Sequence, residues 1–239
     1  MHGSRPDLFQ LRQLILAAMI IAGVTAILAG VVLCSASHSF SQSAALVIGI
    51  AKMDLGSPPT GFQFTRTGQG GLGQWIVVGD ETSFAGRAIE QSSTDRTDYR
   101  FPLAILNSVD SKDVDVSLKF KPVAGHVDQA GGIAVRVLDG DNYYVARANA
   151  LEDNVRFYRV VKGRRQQIDG VNIKVTSGEW HSLGLKAQGE QFTIKFDGKT
   201  LFTTSDKTFA GTGKVALWTK SDSVTRFDQI AIDVLPKQE

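Results

Sequence analysis

The chain has 239 residues, 43% of them hydrophobic and 21% charged, with 26 basic against 24 acidic side chains. That is the composition of a globular protein, not a disordered or fibrous one, and it lacks the basic excess that a nucleic-acid partner calls for. Glycine is plentiful at 24 residues and proline scarce at 6, as short strands joined by tight turns demand.

The first 13 residues are polar and carry Arg5 and Arg12. Leu14 to Cys34 then runs without a charge, and the small-residue stretch SASHSFSQSAA follows. A positive start, an apolar middle and a small-residue exit make a secretory signal. The apolar run is long for a cleaved one, since at about 1.5 Å per residue it reaches across a hydrocarbon layer of about 30 Å. Residues 1–44 are therefore read as a signal peptide or a membrane anchor, with the arginines inside and the following domain outside. Cys34, the only cysteine, follows Leu33, a poor match to a lipidation site, and reads as one more apolar residue. Residues 45–239 form one domain with no disulfide. Setting aside Arg5, Arg12 and Asp7 leaves it 24 basic against 23 acidic residues.

Within that domain, residues 46–74 read mostly as loop, with Ser57-Pro58-Pro59 and a glycine cluster from Gly68 to Gly73. From Trp75 onward strand and turn signals recur about every ten residues, and no stretch has a helical period. The turn Asp139-Gly140-Asp141-Asn142 pairs Leu138 with Tyr143 and Arg136 with Val145. One face then holds Ile133, Val135, Val137, Tyr144, Ala146 and Ala148, and the other holds Arg136, Tyr143 and Arg147. The next turn, Ala150 to Asp153, sets Arg147 opposite Arg156 and Val145 opposite Tyr158, with Val155 and Phe157 joining the apolar face. Lys162-Gly163 turns the chain again, placing Ile168 beside Phe157, Asp169 opposite Arg156 and Gln167 opposite Tyr158. Three hairpins thus agree on one core face.

Further on, Leu183 and Leu185 pair across Gln188-Gly189 with Phe192, Ile194 and Phe196. The tight-turn dipeptide Asp197-Gly198 brings Leu201 opposite Ile194. Strands over Val215 to Thr219 and Phe227 to Val234 complete the set. Trp75, Trp180 and Trp218 read as core aromatics; an exposed tryptophan would offer a stacking platform.

The run GEWHSLGLKAQGEQFTIKFDGKTLF (178–202) resembles the core signature of concanavalin A-like lectin/glucanase and laminin-G-like domains, in which a Gly-x-Trp-His strand precedes one ending in Asp-Gly-Lys. GGIAVRVLDGDNYYVARAN (131–149), GTGKVALWT (211–219) and RFDQIAI (226–232) fit the same pattern. Within that superfamily the chain is similar to the family-16-like domain of unknown function related to 3-keto-disaccharide hydrolases. The resemblance covers about residues 54–234. It implies an all-β fold, a jelly-roll sandwich of two antiparallel sheets, one of them curved. It also implies use of the concave face for sugars and, in some members, calcium binding. Function is argued from the site and not the fold.

The polar face of the central hairpins supplies the candidate ligand-binding residues: Arg136, Tyr143, Arg147, Arg156, Tyr158 and Gln167. Aromatic rings beside forked donors suit sugars and acidic glycans; the plainer reading is a solvated sheet face with an Arg156–Asp169 ion pair. No catalytic or metal-ligating set is identified. The Glu-x-Asp-x-x-Glu motif of family-16 glucanases, which places two carboxylates about 5 Å apart, is absent; Glu152 lies in a turn, and Glu179 and Glu190 at hairpin ends. His126 and His181 are isolated. A calcium site would draw on Asp54 and Asp228, although Asp228 reads first as a turn or edge acceptor. The expected function is an exported, lectin-like carbohydrate-binding module with a glycan partner, attached to a membrane where the first segment is retained. The alternatives are a glycoside hydrolase on modified sugars, for which only Asp169 and His126 stand near the patch, and a structural envelope protein.

Overall fold

The computed structural model describes residues 45–236, so residues 1–44, with the expected signal or anchor and Cys34, lie outside the described residues. In chain order the strands are β1 (Leu46–Val47), β2 (Phe62–Gly68), β3 (Trp75–Gly79), β4 (Arg87–Gln91), β5 (Arg100–Leu106), β6 (Val114–Ala124), β7 (Ala130–Asp139) and β8 (Asn142–Asn149). Then follow β9 (Asn154–Val161), β10 (Arg164–Asn172), β11 (His181–Gln188), β12 (Gln191–Phe196), β13 (Lys199–Ser205), β14 (Lys214–Thr219) and β15 (Val224–Val234). One sheet runs β13-β12-β11-β6-β15-β4-β3, with β1 also paired to β15; the other runs β10-β9-β8-β7-β14-β5-β2. All pairings are antiparallel. Among the described residues no helix is long and apolar enough to cross a membrane.

The main core lies between the sheets. Val116, Leu118, Phe120, Leu183 and Leu185 come from one side, and Ile133, Val135, Tyr144, Ala146 and Phe157 from the other. Burying this apolar surface stabilises the fold by roughly 25 cal/mol per Å². A second apolar cluster draws all its members from the seven-stranded sheet: Phe101 and Leu103 of β5, Tyr143 and Val145 of β8, Tyr158 and Val160 of β9, and Trp218 of β14 among them. These alternate with core residues along each strand, so the cluster occupies the outer face of that sheet.

The chain departs from the sequence reading in five places. Residues 62–68 form a strand, β2, where loop was expected. Phe62 and Phe64 pack against the core, and the whole segment pairs with β5 from Phe62↔Leu106 to Gly68↔Arg100. The second departure decides the site. β7 and β8 pair as Asp139↔Asn142 at the turn but as Val135↔Tyr144 further along, so β7 carries two extra residues. Arg136 sits there in the left-handed region (φ 50°), uncommon for a side-chain-bearing residue. This bulge flips the alternation. The Arg136 guanidinium turns between the sheets, over the rings of Tyr144 (6.0 Å) and Phe192 (5.1 Å), and Val137 moves to the outer cluster.

Gly213 makes the bulge possible, because a Cβ there would lie 2.5 Å from the Arg136 carbonyl carbon and 2.7 Å from its Cα. Both atoms are backbone and cannot step aside cheaply. Gly213→Ala is expected to destabilise the domain by about 1–3 kcal/mol, read as a lower urea midpoint with an unchanged m-value.

The remaining departures are smaller. A bulge at Ile168 puts Asp169 opposite Phe157 and Gly170 opposite Arg156, so the expected Arg156–Asp169 facing pair does not form; Arg156 bonds Asn172 instead. A bulge at Leu201 puts Phe202 opposite Ile194. Trp75 and Trp218 are buried as expected, but Trp180 is only half-buried.

Candidate functional site

Strands β8, β9 and β10 present a grid of side chains on the outer face of the seven-stranded sheet. Arg147 faces Arg156, Val145 faces Tyr158, Tyr143 faces Val160, and beyond them Tyr158 faces Gln167 and Val160 faces Arg165. Five of the six expected ligand-binding residues therefore share this face. Arg136 does not, since its bulge turns it into the space between the sheets.

The five are not equivalent. Tyr143 is buried beneath the surface. Its hydroxyl lies 2.7 Å from Thr67 Oγ1 and accepts the Trp218 indole N–H at 3.1 Å. Burial pushes its phenol above the ordinary value, beyond what the Thr67 and Trp218 bonds offset. Tyr143 is thus the floor of the site and not a contact. Arg147 is also buried. It donates to Asn154 Oδ1, to Glu152 Oε2 at 2.7 Å and to the Tyr158 hydroxyl at 3.1 Å. Burial pushes the Glu152 carboxyl up, but the Arg147 charge and the bonds from Asn154 and Arg147 outweigh it and hold it below the usual range. Arg156 is half-buried, and its stem passes over Gly170, where a Cβ would lie 2.3 Å from Arg156 Cδ. Gln167 is exposed at the rim and makes no side-chain hydrogen bond among the described residues.

Sequence reading missed the central member, Arg165. Its guanidinium carbon stands 4.4 Å from the ring centre of Tyr158, 4.7 Å from Phe101 and 6.0 Å from Trp218. The Arg147 guanidinium lies 5.7 Å from the same Tyr158 ring. One tyrosine is thus flanked by two guanidinium groups, each held by cation–π attraction. The alternation that selected Gln167 also selects Arg165, two residues earlier on the same strand, and that signal was available. The Tyr99 hydroxyl anchors the adjoining turn, accepting the Arg165 backbone N–H at 2.8 Å and donating to Gly163 O at 3.1 Å. A cleft of about 640 Å³ opens there, lined by Val161, Lys162, Arg164, Arg165 and Gln166.

Two guanidinium nitrogens in this cluster, Nε of Arg147 and Nη1 of Arg165, are buried without a hydrogen-bond partner. A buried donor left unpaired costs about 1–3 kcal/mol, and such groups are exceptions that call for a reason. Both flank Tyr158. Tyr158 is itself only 7% exposed, so these donors make a positively charged underlayer to the cleft that Arg165 lines, and that cleft can receive an acceptor-rich group.

The other candidates have structural roles. His181 is buried, with Nδ1 2.8 Å from Asp197 Oδ2 and Nε2 3.0 Å from Thr176 O. The backbone N–H groups of His126, Val127 and Asp128 all donate to the Asp222 carboxylate. Asp228 uses both carboxylate oxygens on backbone N–H groups, of Phe84, Ala85 and Gln229, and Asp54 lies in an exposed turn. Among the described residues no three His, Cys, Asp or Glu side chains converge as a metal-ligating set.

Among solved structures, the chain is similar to the carbohydrate-binding module CBM66 from Bacillus subtilis. That match has 21% identity and a TM-score of 0.55 over 71% of this chain and 94% of that one. It is also similar to the Bacillus licheniformis β-glucanase, with 12% identity and a TM-score of 0.53 over 80% and 98%. A third match is domain 4 of AbnA, a GH43 extracellular arabinanase from Geobacillus stearothermophilus solved with arabinotriose. There the identity is 16% and the TM-score 0.51, over 80% and 93%. At these identities the likeness is one of fold, the concanavalin A-like sandwich. A search of curated protein sequences finds no match. The family model of the galactocerebrosidase C-terminal lectin domain, however, matches residues 106–235, from the end of β5 through β15 and so across β8, β9 and β10. The segment is more than half of the chain, and the chain therefore belongs to the galactocerebrosidase C-terminal lectin domain family.

Proposed function

We propose that this protein is a carbohydrate-binding module that holds a glycan on the outer face of its seven-stranded sheet, around Tyr158. The observation that carries this reading is the cleft at Arg165, where Lys162, Arg164 and Arg165 converge beside two guanidinium donors, on Arg147 and Arg165, that are buried without a partner near Tyr158. Membership of a lectin-domain family supports the ligand class. The sugar lies along the cleft beside Arg165 and Gln167, where a carboxylate or sulfate substituent takes guanidinium donors, while Tyr158, only 7% exposed, backs Arg165 from beneath. Arg156 and Gln167 border the same face, and Lys162 and Arg164 add positive charge at its end, so acidic glycans are favoured over neutral ones. We also read the module as extracytoplasmic, because the arginine-flanked apolar run from Leu14 to Cys34 suits export.

The test is a glycan array of neutral and acidic oligosaccharides probed with the full-length protein, followed by titration of the strongest binder. Arg165→Lys keeps the charge but loses the planar fork that stacks on Tyr158, and is expected to weaken binding about tenfold or more. Arg156→Ala at the rim should weaken it several-fold with little change in melting temperature. Binding of acidic glycans that is unmoved in both variants would remove the site from this face, and the absence of any glycan binding would remove the function.

A further inference from the structure

The opposite side of the sandwich holds a second cluster, separate from the Tyr158 site. On the outer face of the eight-stranded sheet, residues 80–86 connect β3 to β4 and are pinned at both ends. Asp80 accepts from the Thr82 backbone N–H (3.0 Å) and hydroxyl, and its backbone carbonyl takes the Ser83 hydroxyl at 2.8 Å. Asp228, on β15, accepts the N–H groups of Phe84 and Ala85 at 2.7 and 3.3 Å. The loop so fixed presents Phe84 with 85% of its surface exposed. Beside it stands Trp180, half-buried, whose indole N–H donates to Thr82 Oγ1 at 2.9 Å and whose ring lies 4.9 Å from Lys121 Nζ. Phe84 and Trp180 line one depression of about 250 Å³ without stacking on each other, and Lys119 and Gln229 complete it.

A single exposed phenylalanine is ordinary. This one is held by five backbone and side-chain bonds around it and shares a concavity with a second aromatic ring. Two of the polar side chains there are also unengaged. The Lys119 ammonium and the Gln229 amide make no hydrogen bond or ion pair among the described residues, although Lys119 lies across from Asp228, whose oxygens are already taken. Gln229 is held in the left-handed region (φ 49°) by a bulge in β15, and lines the depression. Apolar walls with a few convergent donors are what a small-ligand site requires. The size suits one sugar ring, and the concave shape with its hydroxyls and ammonium does not suit insertion into a bilayer.

We propose that this depression is a second saccharide subsite, in which one ring packs its C–H face on Trp180 and Phe84 while Lys119 and Gln229 bond its hydroxyl or carboxylate oxygens. The ligand class rests on the glycan-binding reading of the domain; the position does not. Two sites on opposite sheets would make the module bivalent toward a branched or dense glycan, and avidity would follow without any new contact.

The experiment titrates the full-length protein with galacto-, gluco- and arabino-oligosaccharides and with oligogalacturonate, following binding by calorimetry and tryptophan emission. Trp75 and Trp218 are buried, so the half-exposed Trp180 is the reporter. In an Arg156→Ala/Arg165→Lys background, which disables the first site, residual binding with a shift in emission is expected. Phe84→Ala should weaken that binding about 3- to 10-fold, and Lys119→Ala should reduce it further, without lowering the melting temperature. If the parent binds sugars but Phe84→Ala and Lys119→Ala leave both affinity and emission unmoved, the second site is overturned and the first stands. If no oligosaccharide binds the parent, both readings fall together. Phe84-dependent sedimentation with phosphatidylserine vesicles, in place of a sugar response, would also overturn the subsite and make Phe84 a membrane contact.

Discussion

Arg136→Met is expected to cost about 3–5 kcal/mol of stability, the loss falling on the fold and not on ligand binding. The guanidinium is 1% exposed. It donates to three backbone carbonyls from three different segments: Lys112 O at 3.0 Å, Phe209 O at 2.8 Å and Gly189 O. Asp113 lies 3.6 Å away and supplies the balancing charge. The same group packs on Tyr144 and Phe192 in the main core. Methionine keeps most of the stem volume but donates nothing, so the three carbonyls lose their donor and the Asp113 carboxylate, left with only the Gly189 N–H, loses its balancing charge in a place that water reaches poorly. Urea unfolding should show the midpoint falling sharply while the folded fraction keeps its glycan affinity. A variant that stays within about 1 kcal/mol of the parent, or that folds normally and loses affinity, would return Arg136 to the binding face.

Arg136 lies where the local pattern of residues stops determining the strand pairing. Where a hairpin turn is short and its strands run without interruption, the pairing followed from the residues alone: Arg147 opposite Arg156 and Val145 opposite Tyr158 are local consequences of the turn from Ala150 to Asp153. The same logic held for Leu183↔Phe196 and Leu185↔Ile194. It broke at Arg136, Ile168 and Leu201, where inserted residues reset the alternation. The Arg136 bulge depends on a distant glycine, Gly213, that leaves room for its backbone, and no local window contains both. β2 was hidden for a different reason: it is an edge strand of one sheet, short and bordered by glycine and proline, with only Phe62 and Phe64 to mark its inner face. Trp180 was misjudged because an aromatic residue in a Gly-x-Trp-His run looks the same from the sequence whether it faces the core or the rim. In the site itself, the residue types were legible but not their depth. Tyr143 and Tyr158 are equal as letters, and only the packing shows that both are buried, the first held by Thr67 and Trp218 and the second by Arg147 and Arg165.

Asp80→Asn is expected to cost about 2–4 kcal/mol at neutral pH, with an effect that shrinks on acidification. Asp80 is buried at the centre of an ionic cluster, 2.5 Å from Lys121 Nζ and 3.0 Å from Arg226 Nη1, while Arg226 also reaches Glu90 at 2.7 Å. Burial pushes the Asp80 carboxyl up, but the bonds from Lys121, Thr82 and Arg226 more than offset it and hold it well below the usual carboxylate range. In the unfolded chain the same group takes up its proton near pH 3.9. Between that value and the lower folded one the unfolded state binds more protons, so the contribution is complete above the unfolded value and is lost as pH falls toward the folded one. The gap between parent and Asp80→Asn should therefore be widest from about pH 5 to 7 and narrow below about pH 4. Asp128 provides the opposite slope. Burial raises its carboxyl beyond what Lys220 offsets, so its contribution is present at low pH and lost as pH rises through the folded value. Asp128→Asn should accordingly gain on the parent as pH rises out of the acid range. Stability curves for the three proteins that stay parallel across pH would show that neither carboxylate is held as the geometry indicates. Asp80 also anchors the loop that carries Phe84, so weaker sugar binding at the Phe84–Trp180 depression is expected in Asp80→Asn, with the Tyr158 site on the other sheet unaffected.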